Sequence, residues 1–350
     1  MQSSVSRRSG GLGLGSALLV ASLAASASGQ VIEKRFGLLD ANPGAPSAQR
    51  IGFIATLGND VFVGTAQNAN NTAAIYKATS TGATAITGFS TLANNSAFFL
   101  SGLDTGGLEA RNVGTATIGG VEQFLMASTL GQTVVTLDPN SGNLTNRFAI
   151  DTGIRGQTVS PDGVLYYVAG GNIASYDGPT GTTGTLFANA DIGANLIDGL
   201  TVVGDFLYIG DDSTDTVYRV DLTAPTPAST VEVVLTAADV AAKTGDSTLG
   251  FESMILGGDG FIYFYDDRSD SVVKFDPANA VDSFSVIATD AELSAAIGSD
   301  LIQGLLWFED APHVWTSVQA RGAGLYAIVP EPTSLAGLGL AVMGLGRRRR

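Results

Sequence analysis

Ile197-Asp198-Gly199-Leu200, then Asp205-Phe206-Leu207-Tyr208-Ile209, then Val217-Tyr218-Arg219-Val220-Asp221 decide the fold. An apolar strand carrying a glycine meets a tight turn; an aromatic-rich strand, a polar hairpin and a third strand ending in an aspartate turn follow. The unit recurs. Leu249-Gly250-Phe251-Glu252 leads to Phe261-Ile262-Tyr263-Phe264-Tyr265 and Val272-Val273-Lys274-Phe275-Asp276-Pro277. Ile154-Arg155-Gly156 leads to Val164-Leu165-Tyr166-Tyr167-Val168 and Ile173-Ala174-Ser175-Tyr176-Asp177. Weaker copies begin at Ile51-Gly52-Phe53, Ser101-Gly102-Leu103 and Gln303-Gly304-Leu305. The marker glycines 52, 102, 156, 199, 250 and 304 stand 50, 54, 43, 51 and 54 residues apart. That period suits one four-stranded propeller blade per repeat, and no helical or leucine-ladder signature points to a solenoid.

Fourth strands are expected at residues 84–86, 144–150, 185–187, 231–235 and 284–288. The last repeat has none, because Val329-Pro330 begins the tail; residues 31–39 are the segment to supply it. Pairing the two ends would remove the exposed edges of an open sheet. The expectation is an all-β chain: a six-bladed β-propeller closed by its N-terminal strand. Seven blades would need a further copy that the sequence does not contain. Short helical patterns at 237–243 and 290–297 fall between blades. The 45 glycines serve tight turns and close strand approach.

The 350 residues carry 18 Lys and Arg against 33 Asp and Glu, a net charge of −15. Near the start, Arg7-Arg8 precedes an apolar stretch and Ala25-Ser26-Ala27, the layout of a secretory signal over residues 1–30. Arg7-Arg8 would also serve a twin-arginine route, but Ser9-Gly10-Gly11 lacks its other features. Without the two terminal segments, 12 basic residues face 32 acidic ones, about −20. Such a body repels nucleic acid and anionic lipid, whose phosphates need cations. The chain has no cysteine, which excludes disulfides, thiolate metal sites and a cysteine nucleophile.

At the other end, Pro330-Glu331-Pro332 stops any strand. An uncharged run over 333–346 follows, then Arg347, Arg348, Arg349 and Arg350. The run is shorter than the roughly 20 residues of a stable span, and the arginines would stay on the cytoplasmic side. This arrangement resembles the PEP-CTERM sorting signal of exported bacterial surface proteins. The resemblance implies a temporary membrane anchor with a short transmembrane helix over 330–350 and an exosortase-type protease as partner. It also implies an envelope or exopolysaccharide setting for a propeller domain at 31–329.

In a propeller the first strands line a central channel. The residues before the marker glycines should lie at its mouth: Ile51, Ser101, Arg155, Asp198, Leu249 and Gln303. Ser101, Arg155, Asp198 and Gln303, with Asp104 and Glu252 nearby, would form a polar ring able to hold sugar hydroxyls or a cation. Arg155 and Asp198 on adjacent blades could equally pair with each other. Asp211, Ser213 and Asp215 offer oxygens at alternate positions, so Ca²⁺ is the one cofactor the pattern admits. Aspartates also simply make hairpin turns. His313 is the sole histidine and should lie on the face opposite these hairpins, which leaves Ser-His-Asp catalysis without support. No G-x-S-x-G, H-E-x-x-H or phosphate loop occurs. These readings favour a non-catalytic exported propeller that binds polysaccharide or protein. The alternative is a calcium-dependent hydrolase or lactonase; a channel-borne redox group comes last.

Overall fold

The computed structural model describes residues 30–41, 50–66, 74–79, 89–94, 110–128, 132–150, 153–245, 247–297, 302–317 and 323–330. The chain opens with β1 (Gln30–Gly37) and a short helix α1 (Leu38–Ala41). The first blade follows: β2 (Arg50–Leu57), β3 (Asp60–Ala66), β4 (Ala74–Thr79) and β5 (Phe89–Asn94). The second is β6 (Gly114–Ile118), β7 (Val121–Ser128), β8 (Thr133–Leu137) and β9 (Leu144–Ala149). The third is β10 (Ile154–Val159), β11 (Val164–Ala169), β12 (Asn172–Asp177) and β13 (Thr183–Ala188). The fourth is β14 (Ile197–Val203), β15 (Phe206–Asp211), β16 (Thr216–Asp221) and β17 (Glu232–Thr236), followed by α2 (Ala237–Thr244). The fifth is β18 (Ser253–Leu256), β19 (Ile262–Asp266), β20 (Ser271–Phe275), α3 (Ala280–Ser283) and β21 (Ser285–Ala288), followed by α4 (Asp290–Ile297). The sixth is β22 (Ile302–Phe308), β23 (Ala311–Thr316) and β24 (Gly324–Pro330), whose fourth strand is β1. Six antiparallel four-stranded sheets make a six-bladed β-propeller.

Each blade packs on both faces against its neighbours, so the second strands read as continuous apolar runs instead of alternating. Val61, Phe62 and Val63 are fully buried, as are Phe124, Leu125, Met126 and Ala127. Aromatic contacts join neighbouring blades: Phe62 meets Phe124 edge-on at 4.9 Å, and Tyr263 meets Trp307 at 5.5 Å. Pairs of this kind contribute roughly 0.5–1.5 kcal/mol beyond their buried area. The fourth strands form the second edge of each sheet, and β9 and β13 are largely solvated.

Closure through β1 follows the sequence reading. Its register with β24 runs from Gln30↔Pro330 to Gly37↔Gly324 and slips once, between Lys34 and Phe36. Third and fourth strands slip once in every other blade too, as at Val217/Tyr218 and Val272/Val273. β1 therefore does what each fourth strand does, bulge included.

Three local readings are corrected. The fourth strand of the first blade is β5, beyond residues 84–86, which lie outside the described residues. The first strand of the second blade is β6; Ser101-Gly102-Leu103 also lies outside them. In the fifth blade the first strand begins at Ser253, not around Gly250. Small-glycine-apolar triplets are common in a glycine-rich chain, whereas a first strand is fixed by pairing with the second. Helices α2 and α4 fall where the patterns placed them. Residues 1–29 and 331–350, holding the expected signal peptide and apolar run, lie outside the described residues. Among the described residues no helix is long and apolar enough to cross a membrane.

Candidate functional site

First strands begin at one end of the channel, the mouth face, where the hairpins joining second and third strands also lie. The turns joining first to second strands lie at the other end. At the mouth the ladder of first and second strands breaks in four blades. The breaks fall between Ile51 and Phe53, Ile154 and Gln157, Ile197 and Gly199, and Ile302 and Gly304. A bulge leaves one residue unpaired and re-aims it. Arg155, Asp198 and Gln303 occupy these positions. Glu252 stands just before β18, its N–H reaching the Tyr265 carbonyl at 3.3 Å. Ile51 and Leu249 stand at the mouth end too, where Leu249 N–H reaches Asp215, but both side chains are fully buried and add nothing to the polar ring. Ser101 and Asp104 lie outside the described residues.

Close approach at this level depends on Gly156: a Cβ there would sit 2.7 Å from the Asp198 carbonyl oxygen of the next blade. Arg155 donates to Asp198 Oδ2 at 2.9 Å, with half of the arginine side chain exposed. A second ion pair crosses the channel: Arg111, before β6, reaches the Glu252 carboxylate and donates to the Glu252 carbonyl at 3.1 Å. Sequence reasoning missed Arg111, because the second blade was anchored at Gly102. The signal was the polar pair Arg111-Asn112 ahead of the alternating Gly114-Thr115-Ala116-Thr117-Ile118.

Asn112 braces the channel beneath. Its amide donates to the carbonyls of Gln157 at 3.1 Å and Met254 at 2.9 Å, and its oxygen accepts from the Ser253 hydroxyl at 2.6 Å. That hydroxyl in turn accepts from Leu305 N–H at 3.1 Å. Four blades are tied by one side-chain cluster. Asn112 also borders a cavity of about 270 Å³ running toward the far face, lined by Thr158, Val202, Ile255, Leu306 and Trp307 among others.

The fourth and fifth blades bring carboxylates together at the mouth. Burial pushes Asp212 up to about 7, and Asp198 and Asp267 nearby add to the rise, while the bond from Phe251 N–H and Arg268 oppose it. Glu252 is raised chiefly by burial, with Arg111 opposing and Asp198 and Asp267 reinforcing. Asp267 is raised by burial too, against Arg268. Too many acids share too little water, so their charged forms are disfavoured.

Asp211, Ser213 and Asp215 are spent on structure. Burial alone would raise Asp211, yet hydrogen bonds from Thr214, Ser213 and the Leu196 and Asn195 N–H groups outweigh it and hold the carboxyl below its usual value. Ser213 Oγ donates to Asp211 Oδ2 at 2.8 Å, and Asp215 accepts from Leu249 N–H of the next blade at 3.0 Å. Asp266 repeats the pattern in the fifth blade, accepting from Gly250 and Arg268 N–H groups. Among the described residues no three His, Asp or Glu side chains are placed to hold a metal ion. His313 is fully buried in β23; its Nδ1 lies 3.0 Å from the Ala311 carbonyl and Nε2 has no hydrogen-bond partner. Burial lowers its pKa to about 4, so at neutral pH it is uncharged.

The family model for the PEP-CTERM protein-sorting motif matches residues 329–350. The chain thus carries a C-terminal sorting motif, which indicates an exported, C-terminally membrane-anchored protein processed by exosortase-type machinery. Among solved structures it is similar to a luciferin-regenerating enzyme, with TM-score 0.54 and 9% identity over 86% of this chain and 95% of that one. It is also similar to a chain of a nidogen/laminin complex, with TM-score 0.44 and 17% identity over 65% of this chain and 76% of that one. The extracellular domain of BT4673 from B. thetaiotaomicron gives TM-score 0.47 and 12% identity over 85% of this chain and 40% of that one. At such identities the likeness is one of fold. No curated protein matches the chain.

Proposed function

We propose that this chain is an exported, tethered propeller whose mouth binds an extracellular polysaccharide without transforming it. The observation that carries the reading is the described composition of the mouth: Arg155 paired with Asp198, Arg111 paired with Glu252, and Gln303 beside them. Such a ring offers donors and acceptors to sugar hydroxyls and charged substituents. Protein interfaces centre on aromatic and apolar anchors. Among the described residues the exposed large apolar side chains are Leu39, Val121, Phe206, Val233, Leu256 and Val281, and of these only Leu39 belongs to the mouth face. Catalysis is disfavoured because the imidazole is buried in a strand, and Asp198, Glu252 and Asp212 are held by Arg155, Arg111 and the Phe251 N–H.

The full chain in detergent, titrated with extracted extracellular polysaccharide and separately with envelope proteins, tests this. Saturable polysaccharide binding that weakens at least about tenfold in Arg155→Ala and Asp198→Ala, with no new reducing ends or other product, is expected. Absence of saturable binding, binding of envelope protein only, or turnover of the bound polymer would each overturn it.

A further inference from the structure

The propeller's two described ends leave from one face, and it is the face opposite the mouth. Gln30 pairs with Pro330, while the other end of that ladder, Gly37 with Gly324, lies at the mouth, where Leu38 N–H bonds the Ala323 carbonyl. The sorting motif begins at Val329, inside β24 itself. Only Glu331 and Pro332 separate Pro330 from the uncharged run that starts at Thr333. The three steps from Pro330 to Thr333 reach at most about 11 Å, whereas a strand of ordinary length puts roughly 17–20 Å between the two faces. A leash that short, flanked by prolines, leaves no room for the ring to turn over.

Among the described residues the distribution of exposed apolar side chains agrees. Val121, Phe206 and Leu256 adjoin the turns between first and second strands, and Val281 lies between third and fourth strands, all on the tether's face. That face also carries Asp205, Asp259 and Asp310 on its turns, so lipid attraction would not hold it down. The leash does.

We propose that, as long as the C-terminal segment is held in the membrane, the propeller stands with its mouth turned away from the bilayer. The partner it takes is then a polymer on the far side, not a lipid or a membrane-embedded chain. The partner half rests on the reading of the mouth as a binding site; the orientation half does not.

Absence of cysteine permits a clean test. Asp205→Cys and Ser213→Cys place single thiols at the two ends of β15, on the far turn and the mouth hairpin. Each full-length variant is labelled with a donor dye and reconstituted into vesicles whose two leaflets both carry an acceptor lipid, so insertion direction does not matter. Transfer at least twofold stronger from position 205 than from 213 is expected. Equal transfer at any level, or stronger transfer from 213, would overturn the orientation. If Asp205→Cys fails to fold, Thr180→Cys on the same face replaces it with the same two outcomes. The readout contains no ligand, so a mouth that binds nothing and a ring that stands the other way up are seen separately.

Discussion

Asp212 in the fourth blade and His313 in the sixth drive stability in opposite directions as pH changes. Between pH 3.8 and about 7 the folded chain keeps a proton on Asp212 that the unfolded chain has released. This carboxyl's contribution to stability therefore falls as pH rises. Between pH about 4 and 6.5 the unfolded chain carries a proton on His313 that the folded chain refuses, so that contribution rises with pH. Asp212→Asn keeps an acceptor for Phe251 N–H and removes the first effect. We expect it to stabilise the chain by about 1–2 kcal/mol above pH 7, after allowance for partial exposure, and to change little near pH 4. His313→Leu removes the second, so its melting temperature should fall steadily from pH 5 to 7. Thermal unfolding of the three proteins across that range checks both signs; parallel profiles would refute both assignments. Arginine exposure separates the two ion pairs in the same way. Arg111 and Glu252 are each about a quarter exposed, whereas Arg155 is half exposed. Arg111→Ala should cost about 1–3 kcal/mol in urea unfolding, and Arg155→Ala less than about 1 kcal/mol.

At the scale of strands, periodicity carried the second and third strands because burial on both faces leaves an unbroken apolar run, as in Leu207-Tyr208-Ile209. First strands were harder to place. In four blades their mouth end carries a one-residue register break, and a bulge is a property of the pair, invisible in either strand alone. The glycine nearest the break marks it in the first, third, fourth and sixth blades. In the fifth the ladder is unbroken, its first strand begins at Ser253, and Gly250 lies outside it, so the marker pointed to Leu249 at the mouth where Glu252 stands. The acids of the hairpins were legible as turn formers; their shared electrostatics were not, since Asp212, Asp267 and Glu252 meet only when two blades pack. Gly304 shows what a marker glycine is for. A Cβ there would lie 2.8 Å from Trp315 Cε2, inside the fully buried indole of the facing strand. Gly304→Ala should destabilise by about 1–3 kcal/mol through overpacking. Gly58→Ala meets no atom but sits at φ +58, so its smaller cost, about 1 kcal/mol, would be backbone strain alone. Equal losses in chemical unfolding would show that packing against Trp315 is not what the glycine provides.

For the whole molecule, the join between the ends is also where any tether must pull. The sorting motif continues directly from β24, and β24 is held on one side by β23 and on the other by β1. Force along the tail loads the β1–β24 ladder along its strands, so all its hydrogen bonds share the load instead of breaking in turn. β1 is more than an edge cover: Phe36 is 2% exposed and packs with Ile54, Trp315 and Leu325, joining the sixth blade to the first. Phe36→Ala should cost about 3–5 kcal/mol, a large share of the stability of an ordinary domain. Replacing residues 30–37 with a glycine-serine stretch of the same length removes the fourth strand of the sixth blade. It exposes the β24 edge and separates the first and sixth blades, because no other described strand pairs with that edge. Without cysteines, no disulfide can hold the ring shut in its place. We expect this variant to lose the single cooperative urea transition and to associate through the exposed edge, visible as higher-order species in sedimentation. A monomer that unfolds with the wild-type midpoint would show that the other five blades and the Asn112 cluster hold the ring unaided, and closure would then matter only for the anchor.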